Sequence, residues 1–591
     1  MAKSLLYPFD AANLLKNKKR IIKSYKSDGK PRIEKKIAFL CGSTANDIKD
    51  VCSIFLLDDM ISPEFYLSEY GMYWEEAVFG GGVDSFSPDV IYIYTTTRNI
   101  EKFFPEPGCS EDEASRFFDE AKNHFFTMWE KLREKHSCPI IQNNFELPRY
   151  RLLGNRDAFD HRGGVAFVNR LNAFVSDYAR EREGFYINDI AYVSACYGLD
   201  KWSDQSAWYM YKYALAIEAI PSLAFNLASI IKSIFGKSKK ALSLDLDNTL
   251  WGGVVGEDGV ENLSLGEETP LAQAYLDFQK YLLKVKNTGV MLTVNSKNDH
   301  QNALAGLNHR DSALKPDDFI VIKANWEPKN QNLIETAEKL NIGVDSFVFV
   351  DDNPAERHIV EGTLPVAAPE IGEVEDYIRV LDRNNFFETT SLTAEDIGRS
   401  EMYKANIQRE ISQSAFESYD DYLYSLGMTA EIKRFIPEYI RRIAQLTNKS
   451  NQFNLTTRRY TVPEIESIAG DMKYIPLYGK LTDRFGDNGV VSVVIGRKEG
   501  KALHIDLWIM SCRVLKRDME FAMLDRLAET ASAEGIKEIY GYYLPTQKNS
   551  MVKDLFVDFG FLKIDEDDSG NTKWFLKTDG YKKKNRFIDV L

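Results

Sequence analysis

Two aspartates, Asp245 and Asp247, lie at the end of a short apolar run, residues 241–246, that predicts a buried strand. Ligands of open α/β sheets bind at the carboxyl ends of the strands, so we expect this pair to face a ligand. A carboxylate held in line can attack a phosphoryl group, and a second acid can protonate the leaving oxygen and then activate water. The pair therefore predicts phosphoryl transfer, with Asp245 as the nucleophile and Asp247 as the general acid and base.

Further polar residues follow these aspartates in the chain. Ser296 ends a second apolar strand, Lys329 lies in a polar segment, and Asp351 and Asp352 end a third strand. Ser296 and Lys329 could hold the phosphate oxygens, with the lysine acting as a point charge. Four neighbouring residues complete the predicted substrate contacts: Trp251, Asn295, Asn298 and Asn353.

A carboxylate cluster at the ends of these strands predicts a magnesium site. Mg²⁺ prefers oxygen ligands, which Asp245 and either Asp351 or Asp352 would supply together with the backbone carbonyl of Asp247. Each motif alone could be structural, since strands often end in such residues. Their order and spacing together indicate one site.

These four motifs resemble those of the haloacid dehalogenase (HAD) superfamily. Only about a dozen residues, 251–263, separate the first motif from the next helical segment, and about thirty separate Ser296 from Lys329. Neither insertion can hold a cap domain. We therefore expect the phosphoryl site to be open. Either its substrate is presented on a macromolecule, or another domain of the chain covers the site.

The composition predicts a soluble, globular chain of three or four domains, with 591 residues, 44% of them hydrophobic and 27% charged. A net charge of -14 leaves no basic footprint for nucleic acid. We expect no membrane span and no signal peptide. Scattered cysteines without a Cys-x-x-Cys pair favour a reducing cytoplasm and argue against structural zinc. They are Cys41, Cys52, Cys109, Cys138, Cys196 and Cys512.

Residues 1–235 alternate buried-looking strand patterns, at 36–40, 90–95 and 139–143, with amphipathic helix patterns, at 111–135 and 164–182. This alternation predicts a separate parallel sheet. The turn at Ser43 resembles the nucleophile turn of SGNH hydrolases, Asn143 follows a later strand, and Asp204 lies where an Asp-x-x-His pair is expected. Ala207 replaces that histidine, so the serine lacks a base. We expect a binding or carrier-docking domain that does not hydrolyse esters.

The carboxy-terminal region contains many polar residues in short blocks, which predicts a polar pocket. They are Asn451, Gln452, Asn454, Arg458, Asp483, Arg513 and Arg517. A strand at 503–510, a turn and a helix at 519–533 resemble the acyl-coenzyme A site of GNAT acyltransferases, in which amides at a helix amino terminus bind pyrophosphate. Lys516 and Asp518 occupy the glycine positions of that turn, which argues against standard coenzyme A binding.

Taken together, the blocks at 244–253, 351–357, 451–459 and 511–514 closely resemble those of FkbH-like proteins. This resemblance implies Mg²⁺ and a phosphorylated three-carbon acid, bisphosphoglycerate, whose glyceryl unit passes to the thiol of an acyl carrier protein. Many members have a cysteine where this chain has Asn295. We expect the acyl group to pass directly, or through Cys512, to a phosphopantetheine thiol.

The predicted fold class is α/β multidomain. It comprises an SGNH-like parallel α/β domain at 1–235, a HAD Rossmann-like domain without a large cap at 236–385, a helical linker at 386–426 and a GNAT-like α+β domain at 427–591. Four functions remain open: a phosphatase and acyltransferase of the FkbH type, an enzyme that builds a small acyl substituent on a surface-polysaccharide sugar, a plain Mg²⁺ phosphatase with recruiting domains, and a non-catalytic scaffold.

Overall fold

The computed structural model describes residues 5–413, 415–449, 452–546 and 549–591, with only the backbone described at residues 394, 410, 449 and 512. The chain forms two compact units. The first is Met1–Lys237 with Glu388–Thr390, and the second is Ser238–Phe387 with Ser391–Leu591.

The first unit is built on a parallel five-stranded sheet in the order β2-β1-β3-β4-β5. The strands are β1 (Ile33–Cys41), β2 (Ile61–Leu67), β3 (Val90–Tyr94), β4 (Ile140–Asn143) and β5 (Phe185–Asn188). Its longer helices are Ala11–Lys26, Asn46–Asp58, Tyr73–Phe79, Glu111–Lys135, Gly164–Glu181, Ile190–Tyr197, Gln205–Tyr211 and Ile220–Ile234. All five residues of β3 are buried because helices cover both faces of the sheet.

One helix of this unit is long and apolar enough to cross a membrane by length and composition alone. The 18-residue window Ile217–Ile234 is 72% buried inside the protein. Its helix packs against Asn46–Asp58, and both contribute to one apolar core. The sequence led us to expect no membrane span; this run is long enough to form one, but its burial is that of a core helix.

The second unit begins with a parallel four-stranded sheet in the order β8-β7-β6-β9. These strands are β6 (Ala241–Leu244), β7 (Met291–Ser296), β8 (Val321–Ala324) and β9 (Phe347–Val350). The helices between and after them are Val255–Asp258, Pro270–Asn287, His300–Leu307, Lys329–Lys339, Pro354–Thr363 and Val374–Arg383. Only the four-residue helix and a 3₁₀ turn lie between β6 and Pro270–Asn287, so this insertion holds no cap domain.

A mixed sheet completes the second unit, in the order β16-β17-β15-β14-β13-β12-β10-β18, with β11 also paired to β14. Its strands are β10 (Met428–Arg434), β11 (Phe453–Asn454), β12 (Tyr474–Asp483), β13 (Gly486–Glu499), β14 (Ala502–Met510), β15 (Glu538–Tyr543), β16 (Leu562–Glu566), β17 (Thr572–Lys577) and β18 (Ile588–Val590). The main helices are Arg399–Gln413, Tyr419–Ser425, Ile440–Lys449, Val462–Gly470 and Met519–Ala533. Parallel pairing of β14 with β15 covers only Ala502–His504, beyond which the two strands diverge.

Candidate functional site

The acidic residues of the predicted phosphoryl site converge at the carboxyl edge of the four-stranded sheet. The backbone N–H of Asp245 donates to the carbonyl of Val350 at 2.9 Å, which aligns the ends of β6 and β9. Asp351 and Asp352 follow directly, and one ligand oxygen from each of the three aspartates lies within 4.8 Å of the others. Parallel pairing thus brings together carboxylates that are far apart in the chain.

Lys329 lies between two of these carboxylates. Its side chain is buried, and its Nζ lies 3.0 Å from Asp245 Oδ2 and 2.6 Å from Asp351 Oδ2. Burial alone would lower the pKa of this lysine, but the two carboxylates outweigh it and raise the pKa above the ordinary value. The lysine therefore remains charged and holds both acids in place.

The donor set fits a magnesium ion. Asp245 Oδ1 is buried and makes no hydrogen bond to any described residue. Burial, and then the neighbouring charge of Asp245, raise the pKa of both Asp351 and Asp352. One lysine cannot balance three clustered carboxylates, and a hard divalent cation satisfies oxygen donors of this kind.

Asp247 is held by three hydrogen bonds. Its Oδ1 accepts from Trp251 Nε1 at 2.9 Å and from the N–H of Val255 at 3.1 Å, while Oδ2 accepts from Asn298 Nδ2 at 2.9 Å. Burial raises the pKa of Asp247, which suits a group that must donate a proton. Trp251 and Asn298, predicted to contact substrate, lie against this carboxylate.

Asn295 and Asn353 also bond within the protein. Asn295 Nδ2 donates to the carbonyl of Lys329 at 2.9 Å, and its Oδ1 accepts from Asn332 at 3.2 Å. Asn353 caps the helix Pro354–Thr363 by accepting from Ala355 N–H. Direct contact of either amide with substrate stays a prediction.

Ser296 ends β7 as predicted, and its side chain is buried. Its backbone carbonyl accepts from the N–H of Asn325. None of the described residues forms a hydrogen bond with its hydroxyl, which leaves that group available to a phosphate oxygen.

Sequence reasoning missed three supporting residues. Buried Arg357 donates from Nη1 to the carbonyls of Asp351 and Asp352, which fixes the turn after β9. Asn332 orients Asn295, and Tyr377 donates to the carbonyl of Asn248 beside the first motif. Of these three residues, only Arg357 could have been found from the sequence, because it is the last residue of the block at 351–357.

The carboxy-terminal region meets the four-stranded sheet at the edge away from these acids. Arg399 Nη1 donates to the carbonyl of Gly289, just before β7 begins, whereas Ser296 ends the same strand. Asp396, which pairs with Arg399, also accepts from Gln445 Nε2 of the following domain. This contact therefore does not cover the phosphoryl site.

The SGNH-like residues do not form a catalytic triad. Ser43 is buried, and its Oγ has no hydrogen-bond partner among the described residues. Asn143 bonds to Thr95 and Asn188, and Asp204 accepts from the N–H of Ser206 as a helix cap. The side chain of Ala207 is buried where a histidine would be needed.

The predicted carboxy-terminal polar residues have separate partners. Buried Asp483 pairs with Arg409 at 2.7 Å and with Arg517 at 3.2 Å, and Arg458 pairs with Asp506 at 3.2 Å. These charges therefore pair within the domain, and their contact with substrate stays a prediction.

The remaining members of that set differ in environment. Asn454 accepts from the N–H of Thr457, and Arg513 Nε donates to Ser511 Oγ. Gln452 Oε1 is buried and unpartnered among described residues. Asn451 and the side chain of Cys512 lie outside the described residues, so the thioester route stays a prediction.

The turn that resembles a pyrophosphate loop keeps a backbone suited to glycine. Lys516 and Asp518 have φ values of 63° and 60°, a region that glycine adopts more readily than other residues. Tyr419 donates its hydroxyl to the carbonyl of Lys516 at 2.5 Å. The Tyr419 side chain therefore contacts the backbone of this turn.

The chain also fills the gap where β14 and β15 diverge. Phe453 and Asn454 pair with Met510 and Ile509 of β14. Leu455 continues the contact, because its N–H donates to Trp508 and its carbonyl accepts from Leu544. An extended ligand could not bond to this part of β14 unless the segment moved.

Residues 81–232 match the family model described as the FkbH N-terminal domain. The chain is similar to the crystal structure of the N-terminal part of BF1531 from Bacteroides fragilis, described as containing a phosphatase domain complexed with Mg. Identity is 30%, the TM-score is 0.58, and the match covers 63% of this chain and 99% of that one.

Two further similarities concern the carboxy-terminal region. One is to the ribosomal-protein-S18-alanine N-acetyltransferase from Escherichia coli, at 10% identity and a TM-score of 0.21, covering 27% of this chain and all of that one. The other is to Ard1 from Thermoplasma volcanium, at 16% identity and a TM-score of 0.21, covering 25% of this chain and 97% of that one. No curated protein matches the chain.

Proposed function

This chain belongs to the FkbH-like family, and from that premise we propose that it is a Mg²⁺-dependent phosphatase joined to an acyltransferase. The observation that carries the phosphatase proposal is the cluster of Asp245, Asp351 and Asp352 around Lys329. Burying several carboxylates together costs folding free energy. Such clusters are typical of sites where the carboxylates bind a cation or take part in a reaction.

In the proposed phosphoryl transfer, we give each residue a role that its position supports. Asp245 attacks phosphorus and forms an aspartyl phosphate, while Asp247 donates its proton to the leaving oxygen. Asp247 then accepts a proton from water, which attacks the aspartyl phosphate and regenerates Asp245. Ser296 and Lys329 hold phosphoryl oxygens through a hydroxyl and an ammonium group.

Mg²⁺ held by Asp245, Asp351 or Asp352, and the carbonyl of Asp247 would offset negative charge on the transferred group. Lys329 neutralises part of the same cluster and orients the Asp245 carboxylate. Trp251 and Asn298 orient the Asp247 carboxyl group. This arrangement depends on preorganised charge, as phosphoryl transfer generally does.

For the acyl transfer, we infer that the donor is bisphosphoglycerate or a similar phosphorylated acyl compound and that the acceptor is the phosphopantetheine thiol of an acyl carrier protein. The small insertions after β6 and β7 support an open site that a carrier-bound group can reach. The acyl group passes to the thiol directly or through Cys512. We place the protein in the cytoplasm, consistent with five described cysteines that are thiols and not disulfides.

A plain phosphatase is the second proposal, and two observations favour it. Tyr419 contacts the backbone of the glycine-type loop, and Phe453 and Asn454 fill the gap beside β14. Coenzyme A could not bind there in the usual way without rearrangement. A role in adding a small acyl group to a surface-polysaccharide sugar is the third proposal.

Incubating the protein with Mg²⁺, bisphosphoglycerate and holo carrier protein, then measuring phosphate release and carrier mass, separates these functions. A glyceryl adduct supports transfer to the carrier. Phosphate release without an adduct supports the plain phosphatase, and phosphate release that persists in excess chelator contradicts the magnesium role.

A further inference from the structure

A cavity of about 210 Å³ lies in the first unit, where β3 and β4 end. Thr97 follows β3 and Glu146 follows β4, and the Thr97 N–H donates to the Glu146 carboxylate at 3.2 Å. Pockets that enclose a whole drug-sized ligand measure about 300–1,000 Å³. This smaller cavity suits a narrow, extended group.

Trp202 is among the residues that line this cavity, and its indole carries a buried hydrogen-bond donor without a partner among the described residues. Trp202 is 1% exposed. Phe104, Pro148 and Leu152 supply apolar wall. An unpartnered buried donor costs free energy, so a ligand with a carbonyl or amide oxygen would be stabilised here.

A loop of residues 147–162, here called the arginine loop, forms much of the mouth of this cavity. Tyr150, Leu152 and Phe159 are 70%, 79% and 73% exposed, an unusual density of exposed apolar side chains for one loop. Arg149 and Arg151 are exposed and form no ion pair with any described residue.

The acids of the arginine loop point inward. Asp157 accepts from the N–H groups of Val165 and Leu153, and Asp160 pairs with Arg156 and Arg162. The remaining free charges on the loop are therefore cationic, on a chain whose net charge is -14. A small soluble ligand needs no exposed apolar and cationic residues around the cavity, whereas an acidic protein is attracted to such residues.

We propose that the arginine loop is the docking surface for a small acidic carrier protein and that the carrier's prosthetic arm enters the cavity as far as Trp202. This rests on the proposed function, which supplies the carrier as partner. The acidic face of the carrier meets Arg149 and Arg151, apolar contacts form with Leu152, and an amide oxygen of the arm accepts from Trp202 Nε1.

Calorimetry with the full-length chain tests this, using an acidic acyl carrier protein in holo and apo forms and free coenzyme A. We expect the holo form to bind about tenfold more tightly than the apo form, since the arm adds contacts. Trp202→Phe should remove that difference while leaving apo binding unchanged. Arg149→Glu with Arg151→Glu should weaken both forms by about tenfold or more.

The matched control is Lys131→Glu with Arg180→Glu, two exposed cations of the same unit that already pair with acids. Its carrier affinity should equal that of wild type. Unchanged affinity in the arginine-loop variant, equal binding of holo and apo forms, or coenzyme A binding as tightly as the holo carrier would each overturn the proposal.

A separate assay of phosphate release distinguishes this failure from that of the proposed function. Wild type that releases phosphate but binds no carrier contradicts the docking surface alone. Wild type that binds the carrier through the arginine loop but releases no phosphate supports the docking surface and contradicts the phosphatase.

Discussion

The two parallel sheets of this chain present polar residues at their carboxyl edges in different ways. In the second unit, Asp245, Asp351 and Asp352 converge with one buried lysine, and one carboxylate oxygen has no hydrogen-bond partner among the described residues. In the first, Asn143 and Asp204 bond to neighbouring protein groups, and no described residue forms a hydrogen bond with the Ser43 hydroxyl. Concentrated charge that the protein does not fully balance, rather than polarity at a strand end, distinguishes the catalytic edge.

The largest expected effect comes from Asp245→Asn. Removing the nucleophile should lower phosphate release by about a thousandfold or more, since the remaining groups only bind and polarise the substrate. Ser43→Ala is the matched change at the other sheet and should leave the rate unaltered. Phosphate release measured with Mg²⁺ checks both variants, and equal circular dichroism spectra show that both fold normally. A Ser43→Ala enzyme as slow as Asp245→Asn would contradict the assignment of the chemistry to the second unit alone.

Lys329→Met should reduce both activity and stability. Loss of the cation leaves Asp245 and Asp351 unpaired in a buried site, which costs about 3–5 kcal/mol of unfolding free energy, and activity should fall by about a hundredfold. The control is Lys297→Met, because Lys297 is partly exposed and pairs with Glu356. Its unfolding free energy should change by less than about 1 kcal/mol. Equal effects in denaturant titrations would contradict the role of Lys329.

A buried acid in the first unit should make stability depend on pH. Burial raises the pKa of Glu146 from 4.5 to about 7, so the native state binds more protons than the unfolded chain in this window. Unfolding free energy should therefore fall as pH rises from about 5 to 7, by up to about 3 kcal/mol, and Glu146→Gln should remove that part of the slope.

Glu520 in the second unit provides an independent comparison. Burial also raises the pKa of Glu520 to about 7. Glu520→Gln should therefore remove a separate part of the pH dependence of the unfolding free energy. Denaturant titrations at several pH values measure each contribution. If the Glu146→Gln variant keeps the full pH dependence of the wild-type unfolding free energy, the Glu146 carboxyl group of the wild type is already solvated.

The smallest expected effect concerns Asp204. As a helix cap, it should contribute about 1 kcal/mol, so Asp204→Ala should lower the unfolding free energy by that amount. Asp204→Asn should retain most of the stability because an amide oxygen also caps. Phosphate release should be the same in both variants, and a loss of release in either would assign this aspartate to chemistry after all.

Much of the local structure followed from sequence patterns. The helices Glu111–Lys135 and Met519–Ala533 have the bounds that apolar periodicity predicts, and β3, β6 and β9 lie within the predicted apolar runs. Each signal is local, because a capping serine and an apolar stripe act within a few turns. Ser110 and Glu113 form such a capping box at the first of these helices.

Other strands escaped prediction because their residues do not alternate or form a clear apolar run. β2 contains Pro63 and Glu64 and lies at the sheet edge, and β8 ends with Lys323 and Ala324 at the edge of its own sheet. Pairing with an ordered neighbour stabilises such strands. Their own side chains give a weak signal.

The sequence by itself determined the order of the motifs, the strand ends at which the acids lie and the absence of a large insertion after the first motif. Only the tertiary structure decided that Lys329 bridges Asp245 and Asp351 and that Asn298 holds Asp247 from 51 residues away. It also decided that β11 fills the cleft beside β14. Strand register and side-chain packing create these contacts, and both depend on residues distant in the chain, so no local pattern could specify them.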